Sequence, residues 1–203
     1  MPILDEQMVR ARKDRVNFAP DSSAKSQSTQ LSGPGNTQPI LFVDVDGVIS
    51  LFGFPPGLAP EGRFAWVNGV PHFISPCGER LRRLSDRFEL VWATGWEETA
   101  NEYLPHLLGL PGELPWLSFD GRAEFGTAHW KLDAIDEYSG PERPVAWIDD
   151  CLTEDCQAWA RDRRGPTMLV PTQPDVGLRD EHVEELLAWA ESLATGVAPS
   201  QNA

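Results

Sequence analysis

The chain has 203 residues, 41% of them hydrophobic, enough to bury one substantial core but too few to build two full domains. The formal net charge is −14, and because residues 1–39 carry five basic and four acidic side chains, the remainder holds 12 basic against 27 acidic. That balance argues against non-specific nucleic-acid or anionic-membrane binding, and no run of about 18 apolar residues is present to span a bilayer.

The first segment, MPILDEQMVRARKDR, has no apolar stretch of signal-peptide length, so no leader is expected. Cys77, Cys151 and Cys156 form an odd set without CxxC spacing or zinc-like histidine partners, and read as reduced thiols of a cytoplasmic protein. Residues 3–18 permit a short helix. Residues 19–39, polar, small and rich in breakers, complete a flexible N-terminal tether over 1–39. One catalytic domain is expected over 40–195, followed by a disordered tail at 196–203.

From residue 40 onward, short β-rich runs alternate with helical periods, the pattern of a parallel sheet with crossover helices. ILFVDV (40–45) reads as a central strand buried on both faces and ending in acid. RFAWV and VPHFI flank Asn68-Gly69, a strong hairpin signal, so residues 50–75 read as a hairpin flap. Ser75-Pro76 marks a helix start carrying Leu81, Leu84 and Phe88. ELVWAT (89–94) is the second strand. A helix over 97–108, a short strand at WLSF (116–119) and a helix over 127–138 follow. PVAWIDD (144–150) is the fourth strand, then a helix over 153–163, a strand TMLVP (167–171), and an amphipathic helix with Val183, Leu186, Leu187 and Ala190. The count is five core strands.

Ligands in an open α/β sheet bind at the carboxyl ends of strands, where Asp44 and Asp46, Thr94, and Asp149-Asp150 fall. Two carboxylates about 4 Å apart repel by roughly 4 kcal/mol at an effective dielectric of 20, so a converging set calls for a cation. Hard oxygen ligands select Mg²⁺, with Asp44, Asp46, Asp149 and Asp150 as candidate ligands. Which of Asp149 and Asp150 binds directly is left open by the spacing. Asp44, at the last buried strand position, suits a nucleophile that forms an aspartyl-phosphate. Asp46, past which the chain turns through Gly47, suits the acid that protonates the leaving oxygen and then the base for water. Thr94 and the Gly95 N–H offer donors to a phosphoryl group, and Lys131 a positive charge to Asp44 and phosphate.

In this order, FVDVDGV, VWATGW, Lys131 and AWIDD resemble motifs one to four of the haloacid dehalogenase (HAD) superfamily, over residues 40–171. The resemblance implies a Rossmann-like HAD fold with strand order 5-4-1-2-3. It also implies an aspartate nucleophile, an acid/base two residues on, phosphate-binding threonine and lysine, and acids that hold Mg²⁺. More closely, VWATGWEETAN, HWK, AWIDD and GLRDEHVEELLAWA are similar to HAD domains of bacterial proteins associated with RNA repair. Only about 45 residues separate the first two motifs, so the cap is minimal and the site open.

The tryptophans read as core or edge packing, except Trp96, expected with Trp66 and Phe73 at a substrate entrance. His72, His106, His129 and His182 lack metal spacing and read as structural or exposed. The leading expectation is a Mg²⁺-dependent phosphomonoesterase acting on a phosphorylated substrate. The competing readings are a polynucleotide-end phosphatase, a phospho-receiver-like module and a catalytically idle HAD-fold binding module. Nothing in the sequence assigns the substrate or an oligomeric state.

Overall fold

The computed structural model of the protein describes residues 38–195, apart from 121 and 125. The short helix expected over 3–18, all but the last two residues of the tether and the tail at 196–203 lie outside the described residues.

In chain order the first elements are β1 (Ile40–Val43), β2 (Ser50–Leu51), β3 (Arg63–Val67), β4 (Val70–Ile74), α1 (Gly78–Ser85), β5 (Glu89–Trp92) and α2 (Thr99–Leu108). A 3₁₀ turn (His129–Lys131) runs into α3 (Leu132–Ser139), followed by β6 (Val145–Asp149), α4 (Glu154–Asp162), β7 (Thr167–Pro171) and α5 (Asp180–Thr195).

Every residue of β1 is apolar and buried, which fits a strand covered on both faces. It pairs in parallel with β5 on one side and β6 on the other, and β7 adds to β6, giving the order β5-β1-β6-β7. Side chains alternate between two core layers. Leu41, Val43, Trp92 and Ile148 pack with Leu81 and Leu84 of α1, Leu104 of α2 and Val183 and Leu186 of α5. Ile40, Phe42, Val91 and Trp147 pack on the opposite face with Ile135 and Tyr138 of α3 and Cys156 of α4. The second layer carries the chemistry described below.

The parallel sheet has four strands and not the expected five. WLSF does lie beside β5, but it makes only an isolated parallel bridge, Trp92 to Trp116. Side chains capture the backbone groups that would extend this ladder. Asn101 accepts from the Leu114 N–H and donates to the Leu114 carbonyl, Glu97 accepts from the Phe119 N–H, and Pro115 has no N–H to give. The expected order 5-4-1-2-3 is therefore unmet at its last place.

Between the first two parallel strands the chain forms an antiparallel sheet of order β2-β4-β3. Asn68 and Gly69 both have positive φ, 49° and 76°, as a two-residue type I′ turn requires, and this fixes Val67 opposite Val70. The register sends Val67 and Ile74 into the core with Ala65 against it, and His72, opposite Ala65, shares that inward face. Phe64 and Trp66 point the other way and are 60% and 68% exposed. The next helix starts later than Ser75-Pro76 suggests. Ser75 donates its N–H to Ile49, which holds it in line with β4, and α1 begins at Gly78 with Cys77 in the capping position.

Candidate active site

Register alone brings the first three groups together. Val43 of β1 lies opposite Ile148 of β6, so the next residues, Asp44 and Asp149, are neighbours on adjacent strands. Both follow the alternation of Phe42 and Trp147 and therefore face the layer capped by α3. Lys131 sits immediately before α3 on that same face. Its Nζ lies 3.1 Å from Asp44 Oδ1 and 2.6 Å from Asp149 Oδ2, and Lys131 is only 3% exposed.

Asp149 is fully buried and its other oxygen accepts the Cys151 N–H at 2.9 Å, so both carboxylate oxygens are engaged. Asp150 is less buried. A Cβ built on Gly47 would stand 2.3 Å from Asp150 Oδ2, so this carboxyl lies directly against the turn after β1. That close approach and a φ of +75° are why position 47 needs glycine. The turn is closed by Ile49 and Ser50 N–H groups donating to the Val45 carbonyl. Thr172 braces it by donating its hydroxyl to the Gly47 carbonyl at 3.0 Å.

Asp46 stands on this turn with its side chain 35% exposed. Trp96 donates its indole N–H to Asp46 Oδ2 at 3.1 Å, and His72 Nδ1 lies 3.9 Å from Oδ1. Trp96, expected at a substrate entrance, is thus only 6% exposed and touches the acid through its ring nitrogen. Of the residues expected to join it there, Phe73 is buried against Phe54 and Phe64, while Trp66 is exposed.

Thr94 follows β5 and is buried; its Oγ accepts the Trp96 N–H at 3.3 Å, which leaves the hydroxyl hydrogen for an acceptor in the site. Gly95 is exposed, and a Cβ there would touch Ala123 at 3.4 Å. Beyond it the chain passes through Glu97 with φ +47°, a left-handed position tied down where the carboxylate accepts from Ser118 and Phe119.

The electrostatics follow from burying several acids around one ammonium. Burial pushes Asp44 up to about 8, against the opposing pull of Lys131 and with help from the charges of Asp149 and Asp46. Burial would lower Lys131, but Asp44 and Asp149 more than offset it and raise its pKa. Asp150 is raised by burial and by Asp149. Ligand atoms of Asp149, Asp150 and Cys151 lie within 4.8 Å of one another. Cys151 is pushed up to about 12 by burial and by Asp150, so near neutral pH its sulfur stays a thiol and the donors are carboxylates. Hard oxygen donors carrying more negative charge than Lys131 neutralises fit a divalent cation.

Ser50 and Thr172 go unread in the sequence, and His72 reads there only as structural or exposed. Ser50 Oγ and His72 Nδ1 are 3.0 Å apart in the interior. The inward position of His72 is implicit in the Asn68-Gly69 turn, whose two-residue register sets which β4 side chains face the core. Thr172 leaves no such local signal, since its partner is 125 residues away.

The family model described as the HAD domain in Swiss Army Knife RNA repair proteins matches residues 40–183. No curated protein matches the chain. Among solved structures, a hypothetical protein from Xanthomonas campestris is 14% identical, with a TM-score of 0.42, over 91% of this chain and 100% of that one. Among the described residues, no helix is long and apolar enough to cross a membrane.

Proposed function

The chain belongs to the family of haloacid dehalogenase-like domains found in Swiss Army Knife RNA repair proteins, and from that premise we propose that it is a Mg²⁺-dependent phosphomonoesterase using Asp44 as nucleophile. The observation that carries this reading is Lys131 held between Asp44 and Asp149 at the ends of two adjacent strands. A buried ammonium there keeps one Asp44 oxygen oriented and presents positive charge where a phosphoryl group arrives.

Asp44 attacks phosphorus while the bond to the leaving oxygen breaks, and the electron pair departs with that oxygen. Asp46 gives it a proton, so an alcohol leaves and the phosphoryl group remains on Asp44. Water then attacks phosphorus, Asp46 takes the water's proton, and the bond to Asp44 breaks to release phosphate. Thr94 and the Gly95 N–H donate to the phosphoryl oxygens throughout, and Lys131 offsets the charge that builds on them.

Asp44 and Asp150 would hold the Mg²⁺, which when bound neutralises phosphoryl oxygens and the acid cluster, while the Asp46 carboxyl is kept for the proton. Asp149 serves from behind, since one of its oxygens is spent on Lys131 and the other on the Cys151 N–H.

The test is hydrolysis of 4-nitrophenyl phosphate by the purified chain with Mg²⁺. Asp44→Asn abolishes turnover under this reading, and turnover undiminished by that substitution refutes it. A phosphorylated RNA end is the narrower substrate reading. The family description supports it, and the excess of acid over base in residues 40–203 weighs against it. Comparing 3′- and 5′-phosphorylated oligonucleotides with phosphorylated metabolites separates the two.

A further inference from the structure

The acid at position 46 sits on an open turn, yet both of its oxygens have a neighbour. Trp96 donates to Oδ2, and the His72 imidazole stands beside Oδ1 at 3.9 Å. These neighbours are linked to each other. The His72 and Trp96 rings meet edge-on, with centroids 4.6 Å apart and planes at 68°. Behind them, Ser50 Oγ lies 3.0 Å from His72 Nδ1. His72 is 6% and Ser50 1% exposed, so the pair lies in the interior, away from water.

Two separate segments therefore meet at one carboxyl, β4 through His72 and the loop after β5 through Trp96, and β2 backs the first of them through Ser50. Ser50 also accepts the Gly47 N–H through its carbonyl at 2.8 Å, tying the same residue to the turn that carries Asp46. A core that only needed filling at position 72 would take an aliphatic side chain. An imidazole there, fixed by a hydroxyl and lying against the indole that bonds the acid, sets a direction as well as a volume.

We propose that His72, held by Ser50, is a positioning residue that fixes the Asp46 carboxyl for proton transfer to the leaving oxygen. The proposal rests on the phosphomonoesterase reading above. His72 acts through Asp46 and Trp96 and does not touch the phosphoryl group. Its role therefore shows only where the proton matters. A nitrophenolate departs readily without an acid, whereas an alkoxide needs the proton as the bond breaks.

The experiment measures kcat and KM of the full chain with Mg²⁺ on a series of phosphate monoesters, from 4-nitrophenyl through phenyl to simple alkyl. Wild type, His72→Phe and Ser50→Ala are compared, with thermal unfolding recorded for each. General acids contribute roughly 10²–10⁴-fold, so misdirecting one lowers kcat/KM, which reports the first displacement alone, by roughly tenfold or more on alkyl esters and by less than about threefold on the nitrophenyl ester. The dependence of log kcat/KM on leaving-group pKa steepens. Ser50→Ala, which removes one oxygen, gives the smaller change of the same kind and carries the test where His72→Phe does not fold.

Equal losses of kcat/KM across the series overturn the proposal, because they mark a structural role only. So does an unchanged slope in folded variants. Failure of the parent reading looks different: wild type then hydrolyses none of the esters, or Asp44→Asn hydrolyses them as well as wild type.

Discussion

Lys131→Met removes the ammonium that touches both Asp44 and Asp149 while nearly keeping the shape of the side chain. At an effective dielectric of 20, contacts of about 3 Å are each worth about 5 kcal/mol before dehydration is counted. Much of that is offset by the cost of burying the ions, and removing one partner from such a pair costs about 3–5 kcal/mol net, because the remaining charge is stranded. Asp149 is fully buried and Asp44 7% exposed, so water cannot readily take over. For a domain of this size the loss corresponds to a fall in Tm of roughly 6–20 °C. Urea unfolding at pH 7 without divalent cation measures it. The deficit widens as pH rises through about 8, where Asp44 gives up its proton, and shrinks on adding Mg²⁺. A variant within about 1 kcal/mol of wild type at pH 7 would refute the reasoning, since an ammonium of that little consequence is not holding two buried carboxyls together.

Three further outcomes are expected. Gly47→Ala forces a side chain into a left-handed backbone and to 2.3 Å from the Asp150 carboxyl, so Mg²⁺ affinity measured by calorimetry falls by roughly 10-fold or more. Gly78→Ala puts a Cβ 1.8 Å from the Leu108 carbonyl, where α1 meets the end of α2; it lowers stability by roughly 1–3 kcal/mol in denaturant unfolding, and in the folded fraction Mg²⁺ affinity stays near that of wild type. The pH dependence has a definite sign: Asp44 is raised from 3.8 to about 8 in the folded state, so between those values the folded chain binds the extra proton and stability falls as pH rises. Without divalent cation, Asp44→Asn therefore gains Tm relative to wild type as pH goes from 5 to 8, and saturating Mg²⁺ removes that gain.

The parts of this molecule that were legible in the sequence are those where burial and period agree. ILFV, LVW and VAWI are continuous apolar runs because both faces of each strand are covered, and the polar residues that follow, Asp44, Thr94 and Asp149, mark where the sheet ends and the cleft begins. Asp44 and Asp149 at the strand ends and Lys131 just before the helix that precedes the fourth strand, all legible as site candidates, do lie in one place. The apolar pattern of WLSF suits a strand, but its pairing is cut short on both sides, where Asn101 holds the backbone of Leu114 before it and Glu97 accepts the Phe119 N–H at its end. Ser75-Pro76 reads as a helix cap, but a ladder bond from Ser75 to Ile49 prevailed over the local signal. Trp96 and His72 show a different gap. Periodicity reports which face a ring occupies, but not which polar atom its nitrogen meets, and here that atom belongs to Asp46, 50 residues from the indole.

Under the proposed mechanism the phosphoryl group passes through Asp44, and Asp46→Asn removes the group proposed to deprotonate water, so the second displacement slows while 4-nitrophenyl phosphate, with its good leaving group, still loads Asp44. Rapid acid quench of that variant during turnover with Mg²⁺, followed by peptide mass spectrometry, should find one phosphoryl group on the peptide containing Asp44 and none in Asp44→Asn. Turnover continuing with no phosphorylated peptide, or with the phosphoryl group on a residue other than Asp44, would contradict the account.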